Sequence, residues 1–262
     1  MPAKKFELIS FPGPDALAVA AAAAWLDEIE AANRAGKSHS VALSGGRITQ
    51  KFFLSTAEKA IARNISFADV HFFWADERCV PPDDPESNFK VANDLLFAPL
   101  RIAPERIHRL RGELPPEEAV TMANTEIGQN VPMENGQAVL DLIFLGMGED
   151  GHVASLFQNA WSESQKNAKC NDAFIFVSDS PKPPPARISL SFKAIAAARQ
   201  VWVLASGAGK EDALKRSVNA EGETSERQTS LGRVIQSRRM TKIFLDIPFP
   251  AGVTNWLSAC SH

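Results

Sequence analysis

Short apolar runs alternate along this chain with longer stretches of helical character, and that rhythm limits the fold more than any other feature. Phe6 to Ser10, Ser40 to Leu43, Val70 to Trp74, Val139 to Leu145, Phe174 to Val177, Val201 to Leu204 and Ile243 to Asp246 read as strands. Pro14 to Arg34, Ile48 to Arg63, Asn88 to Phe97, Pro116 to Gln129 and a segment from Gly209 to near Val218 read as helices. Strands separated by helices build βαβ units, because a parallel neighbour needs a crossover connection. The expected fold class is α/β. It is a single doubly wound domain over residues 1–262, with a mainly parallel sheet flanked by helices on both faces. Two segments interrupt the rhythm. Pro181 to Pro185 reads as a stiff, extended loop, and Asn219 to Ser230 as a polar, mobile one. Strands resume after both, so neither reads as a domain linker.

Composition narrows the partners. With 262 residues the chain can bury a sizeable core. Its net charge is −3, it has no tyrosine, and no basic stripe interleaves with aromatics. That excludes nucleic acid as the expected partner. Cys79, Cys170 and Cys260 are odd in number and far apart, which suggests neither a disulfide framework nor a zinc site. They fit a reducing cytoplasm. Lys4 and Lys5 ahead of Ala16 to Ala24 suggest a signal peptide only superficially. Glu7 and Asp15 interrupt the run, which passes into the amphipathic Trp25 to Glu30. No run is long and apolar enough to span a membrane.

The chemistry concentrates where strands end. Val139 to Leu145 runs directly into Gly146-Met147-Gly148-Glu149-Asp150-Gly151-His152. The glycines permit close approach of backbone and ligand, and the carboxyl ends of strands are where open α/β sheets place their sites. The G-x-G-x-x-G spacing here is not a dinucleotide fingerprint. Glu149 and Asp150 would repel a pyrophosphate, and Asp172 precedes a strand instead of ending one. His152 beside two carboxylates suits general acid–base work. A carboxylate fixes the ring tautomer and favours imidazolium. Trp74-Ala75-Asp76-Glu77-Arg78 ends another strand and offers Asp76, Glu77 and Arg78 to a carbonyl or to hydroxyls. A surface ion-pair turn is the alternative. Ser87-Asn88 can cap the helix that follows.

Three features suit an anion. Ser44-Gly45-Gly46 closes a strand and opens a helix, so it is either a phosphate seat or a plain turn capped by Ser44. Ser206-Gly207-Ala208-Gly209-Lys210 repeats the theme. Lys210 in a first helical turn opposes the helix dipole unless an anion offsets it. Arg187 either clamps a phosphate with its planar fork or makes a surface ion pair. No His/Cys/acid set has metal-ligand spacing. His71 reads as structural, and His108 and His262 carry no pattern.

Taken together, these motifs resemble the 6-phosphogluconolactonase family, within the wider glucosamine-6-phosphate isomerase/deaminase superfamily. The matching segments are Leu43 to Gly46, Phe73 to Arg78 with Val80-Pro81 and Ser87-Asn88, Leu145 to Phe157, Pro185 to Leu190, and Ser206 to Lys210 with Ala213-Leu214. The resemblance implies hydrolysis of 6-phospho-D-glucono-1,5-lactone in the oxidative pentose phosphate pathway, a step of carbohydrate metabolism, without metal, nucleotide or other cofactor. It implies His152 as general base, with Asp150 or Glu149 orienting it, and Arg78 beside the developing oxyanion. It also implies a substrate site formed by Ser44, Gly45, Gly46, Asp76, Glu77, Gly148, Arg187 and Lys210. The family often has Ser-Thr-Pro after the double glycine, where this chain has Arg47-Ile48-Thr49, so Arg47 stands as an extra cation. The proline often found after Ser-Leu-Phe is Gln158 here. The deaminase motif resembles DGHIAFNE, with a glutamate where this chain has Phe157, and commonly an aromatic where it has Arg78. Both differences favour the lactonase over a deaminase, and the intact acid–histidine set disfavours a non-catalytic sugar-phosphate sensor. The expected enzyme is a cytoplasmic monomer or weak dimer.

Overall fold

The computed structural model describes residues 5–158, 171–220, 222, 224 and 228–248. In chain order, β1 (Phe6–Ser10), α1 (Pro14–Arg34), β2 (His39–Leu43), α2 (Arg47–Arg63) and β3 (Val70–Trp74) form the first half of an α/β layer. A short strand β4 (Asp76–Arg78) follows, then α3 (Asn88–Ala92), α4 (Ala98–Leu100) and α5 (Pro116–Asn130). A small hairpin of β5 (Met133–Glu134) and β6 (Gln137–Ala138) leads into β7 (Leu142–Gly146). Beyond it lie β8 (Phe174–Val177), β9 (Arg187–Leu190), α6 (Phe192–Ala197), β10 (Gln200–Ala205), α7 (Glu211–Val218), α8 (Ser230–Gln236) and β11 (Thr241–Leu245).

Six strands form one sheet in the order β1-β11-β10-β7-β2-β3, and every neighbouring pair is parallel. The chain winds outward from β2 to β3, then returns to the other side of β2 and winds the opposite way through β7, β10 and β11. The direction therefore reverses between β2 and β7. Crossover loops diverge at such a reversal and leave a crevice at the carboxyl ends of the strands. Here it brings Ser44-Gly45-Gly46 next to Gly146.

The core explains why these segments take these shapes. All five residues of β2 and the first four of β7 are buried, as strands covered on both faces must be. In α1 the buried stripe Leu17, Ala18, Ala21, Ala22, Trp25, Leu26 and Ile29 follows helical spacing. Its alanines let the helix lie close to the sheet. Trp25 packs edge-on against Phe144 at 5.3 Å and tilted against Phe52 at 5.6 Å, and its indole N–H donates to His39 Nε2 at 3.3 Å. Burying each large apolar side chain contributes about 1.5–3 kcal/mol.

Two sequence expectations need correction. Phe174 to Val177 is a strand, but not of the parallel sheet: β8 pairs antiparallel with β9, which pairs antiparallel with β4. The connection between β8 and β9 carries four prolines and no helix, so the chain can only double back beside itself. The expected helix from Asn88 to Phe97 ends at Ala92 and widens into a π turn over Asn93–Phe97. Pro99, two residues beyond, lacks the N–H that would return to Leu95. Cys170, Cys260, His262 and part of the Asn219 to Ser230 loop lie outside the described residues, and Cys79 is a free thiol. Among the described residues no helix is long and apolar enough to cross a membrane.

Candidate active site

A cleft of about 680 Å³ opens at the carboxyl edge of the sheet over the β2/β7 reversal. One wall is the loop after β7. Gly151, with φ near +84°, turns the chain back so that His152 reaches the cleft, and the Gly148 N–H donates to the His152 carbonyl at 2.9 Å. His152 Nδ1 lies 2.5 Å from Asp150 Oδ1, and the same oxygen accepts the His152 backbone N–H at 3.2 Å. The ring packs on Phe157 at 4.4 Å. A side chain at Gly148 would overlap the imidazole and Asp150, so only glycine fits beneath them. Burial pushes the Asp150 carboxyl up, but the bonds and charge of His152 outweigh it and hold the group at about 2. Asp150 is therefore the carboxylate that orients the ring, and Nε2 is left for the cleft. Glu149 also lines the cleft but approaches Gly209 and Lys210 instead.

The second wall is the small antiparallel sheet. Asp76 and Arg78 of β4 face the cleft, and Arg187 stands directly opposite Arg78 in the β4–β9 register. Side chains alternate along a strand, so Asp76, Arg78 and Arg187 share one face. Two like charges opposed across a pair are unfavourable unless an anion lies between them. Asp76 supplies part of that charge. It is 6% exposed, accepts the Ser155 hydroxyl at 2.7 Å, and acts on the Arg187 guanidinium. Arg78 bonds the Glu86 carbonyl, and its Nε is buried without a partner among the described residues.

The same alternation sends Glu77 to the other face, away from the cleft. Its carboxylate accepts the backbone N–H groups of Arg78, Asn88 and Phe89, each at 2.8 Å, and the Ser87 hydroxyl at 3.1 Å. Burial pushes it up to about 7 against those bonds. Glu77 anchors the start of α3, where Ser87 is the N-cap as the sequence suggests. The sequence-based assignment of Glu77 to substrate is thus not supported by its position.

The third part of the cleft is cationic. Gly46, at φ near +113°, caps α2, so the free N–H groups of that helix open onto the cleft with Arg47 at its first position. A Cβ on Gly45 would overlap the Asn88 side chain, which donates to the Asp76 carbonyl at 2.9 Å. The Ser44 hydroxyl is not a cap. It donates to the Phe144 carbonyl at 2.8 Å and ties β2 to β7. α7 begins at Glu211, two residues later than expected, so Lys210 stands at its N-cap position, and the Ser206–Gly207 turn before it is held by Asp246 at 2.7 and 3.1 Å. Burial lowers the Lys210 ammonium, with Arg47 and Lys182 adding like charge and Asp246 and Glu149 opposing it.

All the residues named from sequence except Glu77 and Asp150 line this one cleft, and Asp150 stands directly behind His152. Sequence reading missed Asn88 as a cleft residue, Ser155 as the bridge beneath Asp76, and Lys182. Lys182 stands in the proline loop, whose sequence signals stiffness more plainly than charge.

Fold and site together define an α/β protein with a cation-rich crevice at a helix N-terminus, beside a carboxylate-supported imidazole. The family model described as glucosamine-6-phosphate isomerases/6-phosphogluconolactonase matches residues 12–240, and the chain belongs to that family. It is 34% identical over 224 residues to the 6-phosphogluconolactonase of Streptomyces coelicolor, covering 83% of this chain and 84% of the relative. It is 37% identical over 175 residues to that of Haemophilus influenzae, covering 67% and 71%. The 6-phosphogluconolactonase structure from Trypanosoma cruzi superposes with a TM-score of 0.78 at 24% identity, over 93% of this chain and 95% of that one, a likeness of fold.

Proposed function

We propose that this protein is a 6-phosphogluconolactonase, which hydrolyses 6-phospho-D-glucono-1,5-lactone to 6-phosphogluconate in the cytoplasm, and that residues 1–262 act as one domain. The reading is supported by the family, by relatives bearing that name along most of the chain, and by one observation above all. The Asp150–His152 contact commits Nδ1 and leaves Nε2 as a base facing the cleft, opposite a cluster of cations.

In the proposed reaction the phosphate sits against the α2 N-terminus, Arg47 and Lys210. Binding at that remote end positions the lactone carbonyl near His152, and binding energy is thereby used for orientation. Water attacks the carbonyl carbon while Nε2 takes its proton. Asp150 stabilises the imidazolium that forms. Arg78, which lines the cleft, steadies the oxyanion. The tetrahedral intermediate collapses, the bond from the carbonyl carbon to the ring oxygen breaks, and the imidazolium returns its proton to that oxygen. No step needs a metal or a redox partner.

A deaminase reading fares less well. Phe157 is 3% exposed and packed on the imidazole, so that position carries no acid for ring opening. The test is a lactonase assay with spontaneous hydrolysis subtracted, alongside ammonia release from glucosamine 6-phosphate. Acid release is expected, and ammonia release alone would reverse the assignment. His152→Ala should lower kcat by roughly 10²–10⁴-fold. Near wild-type rates in that variant would remove the base.

A further inference from the structure

The loop between β8 and β9 lines the cleft as a strap, through Lys182 and Pro183, and its anchoring engages Arg187 differently from the phosphate clamp that sequence suggests. Arg187 is 4% exposed. Its Nε–H donates to the Pro184 carbonyl at 3.1 Å, and one Nη donates to the Lys182 carbonyl at 3.0 Å and the Pro183 carbonyl at 3.4 Å. The other Nη reaches the Ser155 hydroxyl at 3.4 Å. A guanidinium has five N–H donors, and these bonds engage four. Three of the four tie down the backbone of the strap, so little donor capacity is left for a ligand.

Lys182 is what this anchoring presents. Its backbone is fixed at both ends: the N–H donates to Ser180 Oγ at 3.2 Å, and the carbonyl accepts both Arg187 and the Ser180 hydroxyl, the latter at 2.9 Å. The Ser180 N–H closes the strap onto the Pro185 carbonyl at 3.0 Å. The prolines on either side stiffen the stem. The side chain lines the cleft and its charge reaches Lys210, as that of Arg47 does. Its ammonium has no hydrogen-bond or ion-pair partner among the described residues. A fixed backbone carrying an unpaired ammonium toward two other cations is arranged for a dianion.

We propose that Lys182 is a specificity-determining residue for the phosphate group of the substrate, and that Arg187 is a positioning residue that acts through it by pinning the strap. The proposal deepens the lactonase reading and rests on it for the identity of the substrate.

The test compares 6-phosphogluconolactone with unphosphorylated gluconolactone in Lys182→Ala, Lys182→Arg and Arg187→Lys, and in the Lys182→Ala/Arg187→Lys double variant. Loss of a charge-assisted bond predicts a 10–100-fold collapse, on the order set by such bonds, in the ratio of kcat/KM between the two lactones for Lys182→Ala. The loss should fall mainly in KM, with most of the ratio restored by Lys182→Arg. Arg187→Lys should lower the same ratio, and the double variant should be no worse than the poorer single one, because the two residues act in series. Calorimetric binding of inorganic phosphate to the same proteins separates this proposal from the lactonase reading. Weakened phosphate binding in Lys182→Ala supports it even if no lactone is turned over. An unchanged substrate ratio with unchanged phosphate binding would remove Lys182 from the seat. Additive losses in the double variant would make Arg187 a direct ligand. Should Arg187→Lys fail to fold, the Lys182 pair with phosphate calorimetry still decides whether the strap contributes.

Discussion

The proposed acid–base chemistry divides its task between Asp150 and His152, which lie in direct contact. A carboxylate held at about 2 stays ionised throughout the range in which an imidazole changes charge. Asp150 should therefore add no limb of its own to a pH–rate profile measured above about pH 4. Asp150→Asn keeps an acceptor for Nδ1–H but removes the negative charge beside the ring that takes the proton in the proposed reaction, so kcat should fall on the order of 10²–10³-fold. The sign of the stability effect follows from the direction of the shift. A carboxyl depressed below its ordinary value of about 3.9 contributes stability that is fully present above that pH. The contribution is lost as pH falls through about 2. Denaturation midpoints measured between pH 5 and 2 should fall more steeply for the wild type than for Asp150→Asn.

Among the elements, β4 teaches most about what a sequence reveals. β2, β3, β7, β10 and β11 were readable because each carries a run of buried apolar residues, such as Val41 to Leu43 and Phe72 to Trp74. The sharp turn at Gly146 to His152 was readable because glycines and acids are costly in a core strand. A three-residue strand such as Asp76–Arg78 has no periodicity to detect, so the alternation that divides Asp76 and Arg78 from Glu77 was invisible. The antiparallel pairing of β8, β9 and β4 was hidden for a related reason: long-range register leaves no local mark. Glu77 shows the consequence. Three backbone N–H groups depend on it. Glu77→Ala should cost about 3–5 kcal/mol by leaving them buried and unpaired. A fall of that size in urea-unfolding free energy, measured without ligand, would mark Glu77 as an anchor of α3. A stable variant with raised KM would return it to the substrate.

On the scale of the whole molecule, a chain with a net charge of −3 concentrates Arg47, Lys182, Lys210, Arg78 and Arg187 around one opening. A positive cleft on a negative body draws an anion in and turns its mouth toward it. Salt screens that field over about 10 Å at 0.1 M. For 6-phosphogluconolactone, kcat/KM should fall several-fold, roughly 3–10-fold by such screening, as ionic strength rises from about 0.02 to 0.5 M. The unphosphorylated lactone should be almost unaffected. A flat response for both would mean that the field plays no part in capture. The winding reversal between β2 and β7 has a consequence that reaches past this chain. Under the proposed mechanism it separates the grip from the cutting edge: β2, β10 and the proline strap would furnish one, β7 and β4 the other. Either can drift by substitution without dismantling its counterpart. A frame of this kind lets one handle persist while the tool opposite it is refitted, and the family to which this chain belongs is named for both isomerases and a lactonase.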